Sequence, residues 1–207
     1  MNEPTWLDWA KRLLAIAQTG LTYAQSEYDV DRYTAVRQIA CEMMAPYAGS
    51  KAAPELAAFF GRETGYATPK VDVRAAVFRD GQVLLVRERE DGAWTLPGGW
   101  ADVGEAPGVA VVREVKEESG YDVVARKVAA VYDRDLHDHP PIPYHAYKLF
   151  FLCDLVGGAP VESSETDGVG FFPVQELPPL SLTRVTAKKI SHLFDHHRHP
   201  EWPTSFD

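Results

Sequence analysis

The sequence predicts an α/β fold preceded by a small helical domain, and two observations carry this prediction. Apolar residues recur at helical spacing through residues 1–66, whereas the alternating segments typical of strands begin at Lys70. Two further helical patterns, at 107–119 and 182–197, interrupt and follow these strand segments. Strands and helices combined in this way indicate a layered α/β domain around one core.

The N-terminal segment is predicted to contain three helices. Gly20 is expected to interrupt the first helix, and Asp31 is expected to cap the second. The third covers about 54–60, and residues 61–69 form a linker. The first helix is identified by an apolar stripe that comprises Trp6, Leu7, Trp9, Ala10, Leu13, Leu14 and Ala17.

The strands are predicted from alternation and from turn residues. Asp80-Gly81 is a two-residue hairpin signal between the strand segments 71–75 and 83–86. A short strand at 94–96 leads into the glycine-containing turn 97–100. The remaining strands and the closing helix are expected at 123–132, 144–156, 169–172 and 182–197.

Composition and charge exclude several classes of protein. The 207 residues are 45% hydrophobic and 25% charged, as in a soluble globular protein. The net charge of −9 argues against extensive nucleic-acid binding, because such proteins are usually basic. The two cysteines are isolated, and neither a membrane span nor a signal-peptide pattern is present. We therefore expect a cytoplasmic protein that does not contact membranes.

Three glutamates predict a metal site. Glu114, Glu117 and Glu118 stand at i, i+3 and i+4, which places their carboxylates on one helix face. Like charges at these spacings cost a few tenths of a kcal/mol per pair, so the face makes most sense if it holds a cation. Mg2+ takes carboxylate oxygens together with substrate phosphates. The pattern therefore predicts a Mg2+ or Mn2+ site that meets a phosphate.

The flanks of this helix support the prediction. Pro107 suits the first helical position and Gly120 the position beyond the last turn, whereas Ala106 is a poor N-cap. Before the helix, Gly98 and Gly99 allow the backbone to approach a ligand closely. The helix is expected to be buried, because valine is a weak helix former and occupies positions 109, 111, 112 and 115.

Together these residues resemble the Nudix box, G-x5-E-x7-R-E-U-x-E-E-x-G-U, in which U is a bulky apolar residue. An ordinary solvated charged helix is the alternative interpretation, but it explains neither the glycines nor the outlying Glu105. Residues 6–23 resemble the helical extension of a subgroup that includes CDP-choline pyrophosphatases and proteins called ADP-ribose pyrophosphatases. The box positions are filled by Gly99, Glu105, Arg113, Glu114, Val115, Glu117, Glu118, Gly120 and Tyr121.

The resemblance implies a Nudix α/β/α sandwich with a mixed sheet over residues 67–207. It also implies that the helical extension, residues 1–66, supports a homodimer or covers the substrate. Tyr23 is a candidate for stacking on a base, with ordinary packing as the alternative. Packing of the extension only within its own chain is the alternative to dimerisation.

The resemblance further implies hydrolysis of a nucleoside diphosphate linked to another moiety, with Mg2+ or Mn2+. Glu117 and Glu118 are the first expected metal ligands, followed by Glu114. Glu105 and the Gly99 carbonyl complete the predicted set. Arg113 is expected to orient the glutamates, since a guanidinium can hold carboxylates bidentately. The catalytic base is expected to be a glutamate of the box, Glu114 or Glu117, or a glutamate of a distal loop.

Glu165 is the distal candidate, because it lies in the loop before the strand at 169–172. Glu162 and Asp167 are equally available by composition, and a solvated loop acid is the alternative. Arg74 and Arg87 are candidate contacts for phosphate or base, with surface positions as the alternative.

Two histidine groups, at 137–139 and 196–199, have neither zinc-finger spacing nor the helical pair of a zinc protease. Zinc is therefore not expected at either group. The proline-containing loop 133–144 is expected to line the substrate pocket.

Two other functions remain open from the sequence. A nucleotide-sensing module would bind without cleavage, although such modules usually lose box glutamates. An RNA-end hydrolase would meet its substrate at a terminal nucleotide, although the acidic charge disfavours contact with a polymer. The box does not define the groups on either side of the diphosphate; the helical extension favours CDP-choline or ADP-ribose.

Overall fold

The computed structural model describes residues 4–47 and 53–207. These residues form two compact units. One comprises the described parts of 2–69 together with 141–145, and the other comprises 70–140 and 146–207. Among the described residues, no helix has the length and apolar character needed to cross a membrane.

The N-terminal unit contains three α-helices: α1 (Thr5–Tyr23), α2 (Glu27–Met44) and α3 (Ala53–Phe60). One apolar cluster joins the three helices, and its buried members are Leu7, Ala10, Leu14, Ala40, Cys41, Met44 and Leu56. The helical prediction for this segment is confirmed.

Two details of that prediction were wrong. Gly20 does not interrupt α1, which continues to Tyr23. The ring of Tyr33 on α2 occupies the space beside Gly20, since a Cβ there would lie 2.4 Å from ring carbons, so glycine lets the two helices approach. Asp31 does not cap α2 either. Ser26 is the N-cap, and its Oγ accepts a hydrogen bond from the Asp29 N–H at 3.2 Å.

The second unit contains seven strands and two α-helices, in the order β1, β2, β3, α4, β4, β5, β6, α5, β7. Their bounds are β1 (Lys70–Arg79), β2 (Gln82–Glu88), β3 (Trp94–Thr95), α4 (Pro107–Ser119), β4 (Tyr121–Asp133), β5 (Ala146–Gly158), β6 (Thr166–Pro173), α5 (Ala187–Arg198) and β7 (Ser205–Phe206).

The strands form one mixed sheet with the order β3-β2-β1-β5-β4-β7, and β6 pairs with β2. β1 is parallel to β5 and β4 is parallel to β7, whereas the other pairs are antiparallel. The hairpin predicted at Asp80-Gly81 joins β1 and β2. Both turn residues have positive φ, 53° and 76°, as a two-residue hairpin turn requires.

One helix packs on each face of this sheet. Successive strand residues point to opposite faces, so β1 supplies Ala76 to one core and Val73 and Ala75 to the other. The first core includes Ile190 of α5, and the second includes Val111 of α4. This arrangement confirms the predicted α/β/α sandwich with a mixed sheet.

Three local predictions differ from the structure. The closing helix begins at Ala187 rather than at 182, and Thr186 caps it by accepting from the Lys189 N–H. The short strand β7 lies beyond the segment in which strands were predicted. Val109 is 59% exposed, so the valines of α4 do not all face the core.

Candidate active site

The segment before α4 runs beside β1 as an additional pairing partner. The Ala75 N–H donates to Pro97 O at 2.9 Å, and the Val73 N–H donates to Gly99 O at 2.8 Å. Gly98 has φ 138°, and a Cβ at this position would lie 2.1 Å from Val73 O. Only glycine permits this close approach of two backbones. The turn is thereby fixed against the sheet.

Helix α4 has the ends that the sequence predicted. Ala106 makes no side-chain cap, Pro107 opens the helix, and Gly120 ends it with φ 77°. The glutamates of this helix differ in exposure. Glu118 is only 5% exposed, whereas the Glu117 side chain is 59% exposed.

Arg113 gathers three carboxylates around one guanidinium group. Its Nε and Nη2 donate to Glu105 at 3.1 and 3.0 Å. Its Nη1 lies 2.8 Å from Glu117 and 3.1 Å from Glu114. Because Glu105 comes from the preceding loop and the other two from α4, Arg113 ties the loop to the helix. Charge-assisted pairs of this kind are strong and directional.

Glu114 lies directly against the glycine turn. A Cβ on Gly99 would lie 3.1 Å from each Glu114 carboxylate oxygen, so a larger residue at 99 would displace this carboxylate. The Gly99 carbonyl, predicted as a metal ligand, accepts from the Val73 N–H. A carbonyl oxygen has a second lone pair, so this hydrogen bond leaves one site for another partner.

Glu118 is buried beneath the same turn. Its Oε2 accepts a hydrogen bond from the Gly98 N–H at 2.8 Å. Burial raises its pKa to about 8, with further increases from Glu88 and Glu114, while Arg74 and the Gly98 N–H oppose the rise. Burial is also the main reason that the pKa of Glu114 is raised. These carboxylates are therefore held where an added cation would stabilise their charged forms.

Glu88, an acid at the end of β2, was not predicted as a site residue from the sequence. It is 6% exposed, and its Oε1 lies 3.1 Å from Nε of Arg184. Burial raises the pKa of Glu88, Arg184 and Arg74 oppose this, and Asp91 and Glu165 add to it. Its one sequence signal is its position two residues after the apolar run Val83-Leu84-Leu85-Val86.

The predicted site residues outside the box differ in how exposed they are. Glu165 is exposed in the loop before β6, close enough to Glu88 to influence its pKa. Arg87 is part-exposed and donates to Asp167 at 2.7 Å. Arg74 was predicted to contact phosphate or base; it is 5% exposed, which excludes the alternative of a surface position.

Tyr23 belongs to the N-terminal unit and is 66% exposed. It lines an open cleft of about 800 Å³ within that unit. Tyr33 and Tyr66 line the same cleft, together with Ile16 and Gly20. The three tyrosine rings make its lining strongly aromatic.

Both histidine groups have protein partners. His137 Nε2 lies 2.8 Å from an Asp207 carboxylate oxygen. His139 Nδ1 lies 2.7 Å from Leu182 O. His196 shares the Ser205 hydroxyl with His192, at 2.9 and 3.0 Å.

The box residues fit a hard divalent cation. All their candidate donor atoms are oxygens, which suits Mg2+ or Mn2+ and not the sulfur- and nitrogen-rich sites of zinc. Glu105 and Glu117 are oriented by Arg113, and Glu114 lies against Gly99. Glu118 has one oxygen bonded to the Gly98 N–H. Its other oxygen is the one left for a metal.

Comparison with known proteins identifies two family regions. Residues 4–59 match a family described as a UDP-X-like, N-terminal oligomerisation domain. Residues 68–194 match the NUDIX domain.

One relative extends over both regions. The chain is 46% identical over 202 residues to a putative ADP-ribose pyrophosphatase of Bacillus subtilis, covering 98% of this chain and 97% of the relative. An ADP-ribose pyrophosphatase of Methanocaldococcus jannaschii is 31% identical over 56% of this chain and 69% of its own length.

Two solved structures are also similar. An ADP-ribose pyrophosphatase from Streptococcus suis is 44% identical with a TM-score of 0.63, over 68% of this chain and 100% of that one. A UDP-X diphosphatase is 30% identical with a TM-score of 0.64, over 100% of both chains.

Proposed function

The chain belongs to the Nudix family and is a pyrophosphatase of that family, and from this premise we propose that it hydrolyses the diphosphate linkage of ADP-ribose with Mg2+ or Mn2+. One observation carries the proposed reaction: Arg113 gathers the carboxylates of Glu105, Glu114 and Glu117 beside the glycine turn. The names of two relatives support ADP-ribose as the substrate. CDP-choline remains a prediction from the helical extension.

Nudix hydrolases generally use divalent metals. The residues proposed to hold the metal are the box glutamates Glu105, Glu114, Glu117 and Glu118, with the Gly99 carbonyl. When bound, the metal neutralises charge on the phosphate and lowers the pKa of a coordinated water. Arg113 orients the loop and helix carboxylates relative to one another.

The base is proposed to be a glutamate with an accessible carboxylate. Glu117 is exposed on α4 and Glu165 is exposed in the loop before β6, whereas Glu114 is more enclosed. A carboxylate must reach the attacking water to take its proton. Glu117 is therefore the first candidate in the box, and Glu165 is the candidate outside it.

Arg87 and Tyr23 are proposed to contact the substrate, because both side chains are accessible. Arg87 also lies 6.0 Å from the Trp94 ring centroid. Arg74 is enclosed by Asp72 and the backbone of Leu96, which argues against direct contact with a substrate.

We also propose that the chain is a homodimer in which the N-terminal unit contributes to the interface. That unit exposes Trp9, Ile16 and Ile39 at 54%, 55% and 53%. Trp9, Leu13, Ile16 and Met43 line an apolar groove of about 440 Å³, together with the stem of Arg12. Exposed apolar patches of this kind mark interaction surfaces.

The substrate proposal is tested by a hydrolysis panel with Mg2+ and with Mn2+. The panel contains ADP-ribose, CDP-choline, UDP-sugars, dinucleoside polyphosphates, nucleoside triphosphates and a capped RNA. We expect ADP-ribose to give the highest kcat/KM and EDTA to abolish turnover. A clear preference for a nucleoside triphosphate or for RNA would contradict the proposal.

A further inference from the structure

Three charged side chains are buried together on two neighbouring strands, outside the Nudix box. Asp72 and Arg74 of β1 and Lys148 of β5 are 4%, 5% and 3% exposed. β1 and β5 are parallel, and Asp72 lies directly opposite Lys148 in the register. Burying charges costs several kcal/mol per ion unless each is paired. Such a group needs an explanation that the proposed reaction does not yet supply.

The contacts of Asp72 hold Arg74 in one orientation. Lys148 Nζ donates to Asp72 Oδ1 at 2.7 Å. Arg74 donates to the same carboxylate through Nε at 3.1 Å and Nη2 at 2.9 Å. Because this pair is bidentate, the plane of the guanidinium is fixed. The remaining nitrogen, Nη1, therefore points in a defined direction.

That nitrogen reaches the start of the glycine turn. Arg74 Nη1 donates to Leu96 O at 3.2 Å, immediately before Pro97 and Gly98. At the other side of the same turn, the Gly98 N–H donates to Glu118 Oε2 at 2.8 Å. A continuous series of contacts thus runs from Lys148 through Asp72, Arg74 and the turn to a box glutamate.

Charge also links Arg74 to Glu118. Lys148 and Arg74 are two cations around one Asp72 carboxylate, which leaves one positive charge in excess. Arg74 is the largest influence that opposes the burial-driven rise in the pKa of Glu118. Arg74 therefore interacts with Glu118 electrostatically as well as through the turn.

We propose that Asp72 and Lys148 are positioning residues, which hold Arg74 so that it fixes the start of the turn 97–100 and, through the Gly98 N–H, the carboxylate of Glu118. In this role they act through Arg74 and need no contact of their own with substrate or metal. The inference rests on the proposed role of Glu118 as a metal ligand, and it replaces substrate contact as the role of Arg74.

The test removes the positioning pair without changing the net charge. In the double variant Asp72→Asn/Lys148→Met, Arg74 loses its bidentate partner but keeps Glu118 nearby. The matched control is Arg126→Met/Asp154→Asn, which removes an exposed ion pair of 2.6 Å between β4 and β5. Hydrogen exchange of the Gly98 amide is measured by NMR on metal-free protein. The dissociation constant for Mn2+ alone is measured by electron paramagnetic resonance.

In the double variant, we expect faster exchange at Gly98 and Mn2+ binding that is weaker by about tenfold or more, as for other outer residues that orient ligands. The control variant should match wild type in both measurements. A folded double variant with unchanged Gly98 exchange and unchanged Mn2+ affinity would overturn the proposal. Neither measurement uses a nucleotide, so the outcome of both is independent of the substrate proposed above.

A second pair of variants decides the question if the double variant does not fold. Lys148→Arg keeps a cation on Asp72, whereas Lys148→Met removes it and leaves the Asp72–Arg74 pair in place. We expect Lys148→Met to give faster hydrogen exchange at the Gly98 amide and weaker Mn2+ binding. Lys148→Arg should keep the wild-type exchange rate and the wild-type Mn2+ affinity. Equal behaviour of the two variants in these measurements would refute a positioning role for Lys148.

Discussion

At the residue scale, Gly98 has the most demanding position in the site. Its φ of 138° is unsuitable for other residues, and a Cβ would meet the backbone of β1 at 2.1 Å. The same residue donates its N–H to Glu118. One glycine therefore serves both the fold and the arrangement of the carboxylates, and a substitution should affect both.

We expect Gly98→Ala to lower the free energy of unfolding by about 3 kcal/mol, because it combines backbone strain with a backbone clash. It should also weaken Mn2+ binding in the fraction that remains folded. The matched control is Gly108→Ala in α4, where a Cβ meets nothing within 4 Å. That change should stabilise the protein by about 0.5–1 kcal/mol. Urea unfolding of both variants checks the prediction, and equal stabilities would contradict it.

The box residues could be named from the sequence because each has a distinct local reason. Gly99, Arg113 and the glutamates of α4 are separated by spacings that a helix and its preceding turn impose. Glu88, Asp72 and Lys148 could not be found in the same way. They belong to β2, β1 and β5, and these residues become neighbours only when β1 pairs with β2 and with β5.

At the element scale, helix interiors were easier to predict than helix ends. Both ends of α4 were predicted correctly, because Pro107 and Gly120 act through local backbone geometry. The start of α2 was predicted wrongly, since both Ser26 and Asp31 are chemically suitable caps. The effect of Gly20 was predicted wrongly because glycine is required there by a contact with another helix, namely with the ring of Tyr33. A tertiary contact determines the role of Gly20, and the pattern of a single segment does not contain such contacts.

The loops on one side of the second unit are joined by buried polar contacts. Arg134 donates to Pro140 O at 2.6 Å and to Thr183 O at 3.3 Å. His139 Nδ1 lies 2.7 Å from Leu182 O. The segment after β4 is therefore attached to the segment before α5. This attachment contains His139, a buried titratable group whose charged form is disfavoured by burial.

His139 should make stability depend on pH. Burial lowers its pKa from 6.5 to about 4 in the folded protein, so between these values the unfolded chain binds more protons. Stability is then fully present above pH 6.5 and falls as the pH drops toward 4. The loss due to this residue between pH 7 and pH 5 should be at most about 2 kcal/mol.

Comparison of His139→Asn with His199→Asn measures this effect. Asparagine retains a donor for Leu182 O but does not titrate, so the first variant should show a shallower decrease in unfolding free energy below pH 6.5. His199 is 46% exposed, so its variant should follow wild type. A His139→Asn profile with the wild-type slope would contradict the assignment.

At the scale of the whole molecule, the N-terminal unit raises the question of assembly. Its helices bury a small core and leave large apolar side chains exposed, including Trp9 and Ile16. A unit of this size gains little stability from its own core. The family region that it matches is described as an oligomerisation domain. Both observations support the proposed homodimer.

Light scattering at micromolar concentration should show a dimer for the full chain and a shift toward monomer for Ile16→Glu. A charge introduced into the apolar groove must be desolvated when the face is covered. Val161→Glu is the control, because Val161 is a comparably exposed apolar residue, at 59%, in the other unit. A monomeric wild type would refute the dimer. A dimer that is unaffected by Ile16→Glu would refute the role of this groove.

The central claim is that the Arg113-bound carboxylates form the catalytic site of a metal-dependent pyrophosphatase. The most direct test is the kcat for ADP-ribose with saturating Mg2+ in wild type, Glu117→Gln and Glu176→Gln. Glu176 is an exposed acid of the same unit, outside the site. We expect Glu117→Gln to lower kcat by about 100-fold or more with its fold intact by circular dichroism, and Glu176→Gln to match wild type. A folded Glu117→Gln variant with wild-type turnover would contradict the account.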